Sequence, residues 1–279
     1  MGGLFVLIAI EIQILGEAKQ GGKNMKKAKI ITALGMMYDL ESPNDFVRDV
    51  ALALHSDGVF IAQLMCLSNM IATCDIGNLA HEHLEFYSLA SLEFLFDKHG
   101  LEIYDIETNN TNNQSYRLYV RHIGSRVKAM NPMGAASRLH SIRLAESRLT
   151  NKHYYNSFFA QMEENKKRVV GFIEDAVAND KKVWVYGAST KGNVILQYLG
   201  LASSLIQCAS DKSPEKYGRY TIGTNIHVVS HDEMRKSCPD YCLVLPYTFI
   251  EEIIKDEDNE TWRKQGGKFI VPLPEMRII

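Results

Sequence analysis

The chain has 279 residues, 46% hydrophobic and 23% charged, with a formal net charge of -2. That is the profile of a globular protein with room for two domains, and it leaves no electrostatic footprint for nucleic acid or an acidic membrane surface. Five cysteines, odd in number and sparse, argue against a disulfide scaffold and for a reducing compartment, so a cytoplasmic protein is expected. Residues 2–15 are strongly apolar but hold Glu11, are too short to span a bilayer, and lack the basic start of a secretory signal. Residues 16–24 are rich in Gly and Lys, so 1–24 is expected to be an extension or a misannotated start. From Met25 the pattern alternates strand and helix. Residues 28–33 suit a buried parallel strand. Ser42-Pro43-Asn44-Asp45 carries the signals of a helix start, and Phe46, Val47, Val50, Ala51 and Leu54 recur at helical spacing. A second buried strand is expected over 59–64, a helix over 88–99 closed by Gly100, and an antiparallel pair over 101–107 and 114–121.

Residues 122–150 are mixed and basic, broken by Asn131-Pro132-Met133-Gly134, and are the expected linker. A long helix over 154–179 follows, with an exposed charged face. A second α/β domain over 151–279 should then contain strands at 183–186, 205–209, 242–245 and 268–271, with helices near 191–199 and 249–255. The first domain would cover 25–121.

Two segments carry chemistry. Val183-Trp184-Val185-Tyr186 runs into Gly187, Ala188, Ser189, Thr190, Lys191, Gly192 and Asn193, a turn at the carboxyl end of a strand and the start of a helix. Small residues there let the backbone approach a phosphate, the free N–H groups of a first helical turn point at it, and Lys191 could add charge. The spacing is neither a P-loop nor a dinucleotide fingerprint, and a tight strand-to-helix turn without a ligand is the alternative. The other segment is His81-Glu82-His83. Histidine suits proton transfer near neutral pH, and a neighbouring carboxylate fixes its tautomer. Here the alternative is a polar loop that satisfies its own backbone. The cluster is not His-Glu-x-x-His, and no third ligand has helpful spacing. Cys238 and Cys242 lack a second Cys/His pair, so no metal site is expected.

The stretch from about Lys29 to Pro274 resembles the nucleotide-sugar C-methyltransferases, which methylate a carbon of keto-deoxysugars carried on a nucleoside diphosphate. The resemblance rests on Glu82-His83, Ser88-Leu89, His99-Gly100-Leu101-Glu102, Gln114-Ser115-Tyr116-Arg117-Leu118 and the 187–193 turn. It continues through the run from Asp211-Lys212-Ser213-Pro214 to Arg219, Pro239-Asp240-Tyr241 with Leu245-Pro246-Tyr247, and Gly266-Gly267-Lys268 through Pro274. It implies a partial class I methyltransferase (Rossmann-like) sheet followed by a second Rossmann-like α/β domain, the two meeting across a cleft. It also implies S-adenosylmethionine as cofactor, His83 as the base with Glu82 orienting it and His81 beside them, and a nucleoside-diphosphate sugar held by the 187–193 turn and Asp211. The family's zinc module and its glycine-rich methyl-donor loop have no counterpart in these residues. Ala80 stands where some relatives carry a tyrosine. Three readings follow: a C-methyltransferase or its N-terminally truncated relative, a non-catalytic nucleotide-sugar-binding or partner subunit, or a gene fragment with no independent function. A homo-oligomer or a partner chain would complete the first sheet.

Overall fold

The computed structural model of the chain describes residues 27–110 and 114–279, so the expectations for residues 1–24 lie outside the described residues. The elements in chain order are β1 (Ala28–Leu34), α1 (Pro43–Ala53), β2 (Leu54–Met65), α2 (Leu67–Ala72), α3 (Leu89–Asp97), β3 (Leu101–Asn109) and β4 (Ser115–His122). They continue with α4 (Pro132–Glu146), α5 (Lys152–Ala178), β5 (Val183–Tyr186), α6 (Thr190–Leu199), β6 (Cys208–Asp211), β7 (His227–Ser230) and α7 (His231–Ser237). The last are β8 (Tyr241–Val244), α8 (Ile250–Lys255), α9 (Glu257–Lys264), β9 (Lys268–Val271) and β10 (Arg277–Ile278). Short 3-10 turns join several of them. Among the described residues the chain divides into two units, one of 27–70 with 81–154 and one of 71–80 with 155–279.

The first unit is built on a mixed sheet in the order β1-β2-β4-β3. β1 runs parallel to β2, whereas β4 is antiparallel to both β2 and β3. Along β2, Phe60, Ala62 and Leu64 are buried and alternate with half-exposed residues, the two-residue period of a sheet with one covered face. Phe60 meets Phe46 of α1 and Phe96 of α3 edge-on at 6.2 and 6.0 Å, and this aromatic chain ties both helices to the sheet. Ser88 starts α3 with a capping box: its hydroxyl accepts from Ser91 N–H while Ser91 reaches back to Ser88 N–H. Ser42 caps differently from expectation. Its hydroxyl donates to Asp45 (2.6 Å) and leaves the backbone of α1 uncapped.

The expected linker is not extended. Asn131 caps α4 by accepting from Gly134 N–H, Pro132 occupies the first turn, and Leu139 enters the core. At its far end Glu146 is buried and accepts from Leu89 N–H (2.6 Å) and from Tyr116 O–H (2.8 Å), which fastens α4 to α3 and β4.

The second unit holds a six-stranded sheet in the order β10-β9-β8-β5-β6-β7. All neighbours from β9 to β7 are parallel, and β10 alone is antiparallel. The parallel strands, numbered by chain order, lie 3-2-1-4-5, the arrangement of a doubly wound sheet whose winding reverses between β5 and β8. Every residue of β5 is buried, as are Leu243, Val244, Ile270 and Val271, the continuous apolar runs expected of parallel strands covered on both faces. β7, α7, α9 and β10 are elements that the sequence patterns did not announce. No helix among the described residues is long and apolar enough to cross a membrane.

Candidate functional site

The 187–193 turn lies at the point where the winding of the second sheet reverses, where open α/β sheets bind ligands. Gly187 has φ +85, and a Cβ there would sit 2.6 Å from Pro246 Cδ; at Gly192 it would sit 2.7 Å from Leu245 Cδ1. Both glycines are therefore required by the fit of the turn against the end of β8, before any ligand is considered. Ser189 caps α6 by accepting from Gly192 N–H (3.1 Å). Asn193 is structural: its side chain donates to Ser189 O (3.2 Å) and accepts from Ile222 N–H (3.2 Å). Thr190 is exposed.

Asp211, at the end of β6, fastens the turn. One carboxylate oxygen accepts from Ala188 N–H (2.8 Å) and from Lys216 Nζ (3.0 Å), the other from Ser213 N–H (2.8 Å). Lys216 also donates to Ala188 O (2.9 Å). The Ala188 amide, expected to face a phosphate, is thus already bound to a carboxylate. Lys191 is placed differently from expectation as well. Its Cβ packs where Gly77 leaves room, and burial pushes its amine down against the opposing pull of Asp75. Asp75 is itself held by Tyr247 O–H (2.7 Å) and Asn78 (2.7 Å).

A cavity of about 280 Å³ opens beside the turn, lined by Gly187, Ser189, Asp211 and Pro246 together with residues that sequence reasoning missed. These are Tyr186, Lys212, His231, Phe249, Glu252, Ile253 and Asp256. Lys212, not Lys191, is the cavity's lysine, and it pairs with Asp256 (3.1 Å). His231 stacks on Tyr186 with centroids 4.2 Å apart and planes 12° from parallel. Burial pushes its imidazole down to about 4, so it is neutral at pH 7.

In the first unit, His81, Glu82 and His83 follow the carboxyl end of β2, and the 3-10 turn Met37–Asp39 follows that of β1. Leu84 and Glu85 N–H both donate to Tyr38 O (2.8 and 3.1 Å), which joins the two loops. His83 is mostly buried, meets the Tyr38 ring edge-on at 4.7 Å, and has Nε2 4.0 Å from Asp39 Oδ1. Asp39 Oδ1 is buried without a hydrogen bond among the described residues; burial raises its carboxyl above the usual range, His83 opposes the shift and Glu82 adds to it. Glu82 pairs with His81 (3.0 Å), and the His81 side chain is 95% exposed. The three motif residues therefore separate: His83 turns inward beside Asp39 and Tyr38, whereas His81 and Glu82 turn to solvent. The arrangement sets a mostly buried imidazole beside a carboxylate. Among the described residues no group of three or more His, Cys, Asp or Glu side chains is placed to hold a metal ion.

Residues 115–274 match the C-methyltransferase C-terminal domain family, a span that contains the whole parallel sheet of the second unit. The C-methyltransferase NovU of Streptomyces niveus is 31% identical over 245 residues, which are 85% of this chain and 55% of the relative. The chain thus spans about half the length of that relative. Two solved structures, described as a pericyclic reaction enzyme and as the LepI complex with SAM, are each 11% identical. Each covers 36% of this chain and 28% of its own, with a TM-score of 0.29, too slight a likeness to bear on fold or activity. On the extent of the family match, the chain belongs to the C-methyltransferase C-terminal domain family.

Proposed function

We propose that this protein takes part in C-methylation of a keto-deoxysugar carried on a nucleoside diphosphate. The observation that carries the reading is the position of His83: a mostly buried imidazole beside a half-buried carboxylate, at the ligand side of the first sheet, in a chain of C-methyltransferase ancestry. Methylation at carbon next to a ketone requires that carbon to lose a proton first. His83 is the group for that step, and a positioned base of this kind contributes on the order of 10²–10⁴-fold. The Tyr38 ring packs edge-on against His83, and the Asp39 carboxylate lies 4.0 Å from its Nε2. Glu82, turned toward His81, is assigned no orienting role.

S-adenosylmethionine, when bound, would supply an electrophilic methyl group. The crevice of about 10 Å³ between Tyr38, Met65, Cys66 and Tyr87 has room for about one water and does not fit it. Sugar binding and proton transfer are the steps assigned to this chain's residues. In the second unit, the turn at Gly187 and the adjoining cavity are the seat for the nucleotide portion of the ligand.

Calorimetric titration with a panel of nucleoside-diphosphate sugars and with S-adenosylmethionine tests this reading. Saturable binding of at least one sugar nucleotide is expected. A chain that binds none of them, at concentrations up to millimolar, would refute it.

A further inference from the structure

The cavity beside the turn differs in charge from a phosphate seat. Lys212 is matched by Asp256 (3.1 Å) and Lys216 by Asp211 (3.0 Å), and Glu252 adds a carboxylate with no cation matched to it. Arg235, on the same helix as His231, is matched by Asp232. The sum around the cavity is one negative charge, which leaves no unmatched cation there, among the described residues, to hold a diphosphate inside it.

Its polar centre is of another kind. His231 is 8% exposed, and its Nδ1 is buried with no hydrogen-bond partner among the described residues. A buried ring nitrogen left unpaired is costly, so the site is complementary to a molecule that completes that bond. The stack on Tyr186 fixes the plane of the ring and hence the direction in which Nδ1 points. The tautomer of the neutral ring decides whether Nδ1 donates or accepts in that bond. Around it, Pro246, Phe249 and Ile253 supply apolar surface, and Phe249 is 56% exposed although it is a large aromatic. A flat heterocycle with a hydrogen-bonding edge meets all these conditions. At about 280 Å³ the space is at the small end for ligand pockets, and it suits one part of a sugar nucleotide rather than the whole.

We propose that this cavity seats the nucleoside portion of the ligand, with the base edge on His231 Nδ1 and one base face against Phe249, and that the phosphates stay outside it. The proposal rests on the nucleotide-sugar reading above and divides that ligand between two places: nucleoside within the cavity, diphosphate at its mouth beside the turn.

The test uses the full chain and four kinds of probe: thymidine, uridine, adenosine and guanosine alone; their diphosphates; inorganic pyrophosphate; and the same nucleosides against two variants. His231→Phe keeps a ring for the Tyr186 stack but removes the nitrogen, and Phe249→Ala changes an exposed side chain. One nucleoside should bind with 1:1 stoichiometry and compete with its own diphosphate. Each variant should weaken it about tenfold while circular dichroism stays unchanged. Pyrophosphate should not displace it. If a diphosphate binds but no nucleoside does, or if His231→Phe leaves nucleoside affinity unchanged in a folded protein, the cavity assignment is overturned while the nucleotide-sugar reading stands. Displacement of nucleoside by pyrophosphate also overturns it. If neither nucleosides nor diphosphates bind, the nucleotide-sugar reading fails and this proposal fails with it.

Discussion

The two units place a histidine at the ligand side of a parallel strand edge, and they do so to opposite effect. In the first, His83 has Nε2 4.0 Å from the half-buried carboxylate of Asp39 and packs against Tyr38. In the second, His231 is stacked, neutral and unpaired at Nδ1, and lines a cavity of about 280 Å³. One imidazole faces a carboxylate, whereas burial keeps the other neutral and leaves its Nδ1 to serve as a hydrogen-bonding wall. The comparison sets the proposed proton transfer apart from the proposed recognition within one chain, and substitutions can test each side of it.

The largest effect should come from Gly187→Val. Its Cβ would meet Pro246 Cδ at 2.6 Å, in a backbone conformation that a β-branched residue adopts only under strain. A loss of about 3 kcal/mol or more is expected in urea unfolding of the second unit. A weakened ligand titration in this variant would therefore report folding rather than phosphate contact. Unfolding at the wild-type midpoint would show that the turn does not need its glycine.

Next in size is a pH effect that sharpens the contrast between the histidines. The folded-state pKa of His231 is pushed from 6.5 down to about 4 by burial, so the unfolded chain takes up a proton that the folded one refuses. Stability contributed by the neutral form is complete above about 6.5 and falls as pH drops toward about 4, by on the order of 3 kcal/mol. Carboxylates held low, such as Asp240 by Lys182 N–H and Glu233 by Ser230, lose their contribution at lower pH. Urea unfolding at pH 7 and pH 4.5 should show a smaller difference in His231→Phe than in wild type. Equal differences would mean that His231 is not buried in its neutral form.

Asp211→Ala should cost about 2 kcal/mol, because it frees two backbone amides and Lys216 at once. Thermal unfolding measures it, and an unchanged midpoint would remove Asp211 as the fastening of the turn. The smallest effect belongs to His81→Ala. With its side chain 95% exposed, it should change neither the melting temperature nor sugar-nucleotide binding. A substantial change in either would restore His81 to the site.

Much of this architecture was legible in residue patterns, and the gaps have physical causes. The strands β5 and β9 fall where apolar runs placed them, because buried parallel strands need little else to be seen. Helix α4 was hidden because few of its side chains are buried, so its periodicity is faint although Asn131 and Pro132 give a sound helix start. β7 offers only Val228 and Val229 as apolar signal. Missing that strand also concealed His231, which follows it and whose role depends on where the strand end lies in the sheet. Asp39 was invisible for a related reason: it reaches His83 only because β1 and β2 are adjacent and parallel. Local sequence could announce a histidine and a neighbouring glutamate, but the structure turns that glutamate toward His81.

The central claim is that His83 is the base, and hydrogen exchange tests it without reference to the methyl donor. The chain would be incubated in D2O with a nucleoside-diphosphate keto-deoxysugar that it binds, and deuterium entry at the carbon next to the ketone followed by NMR. Wild type should exchange that proton, and His83→Asn should slow the exchange by about 100-fold or more while sugar-nucleotide affinity changes little. Exchange at the wild-type rate in His83→Asn, or none by wild type with a bound sugar nucleotide, would contradict the account.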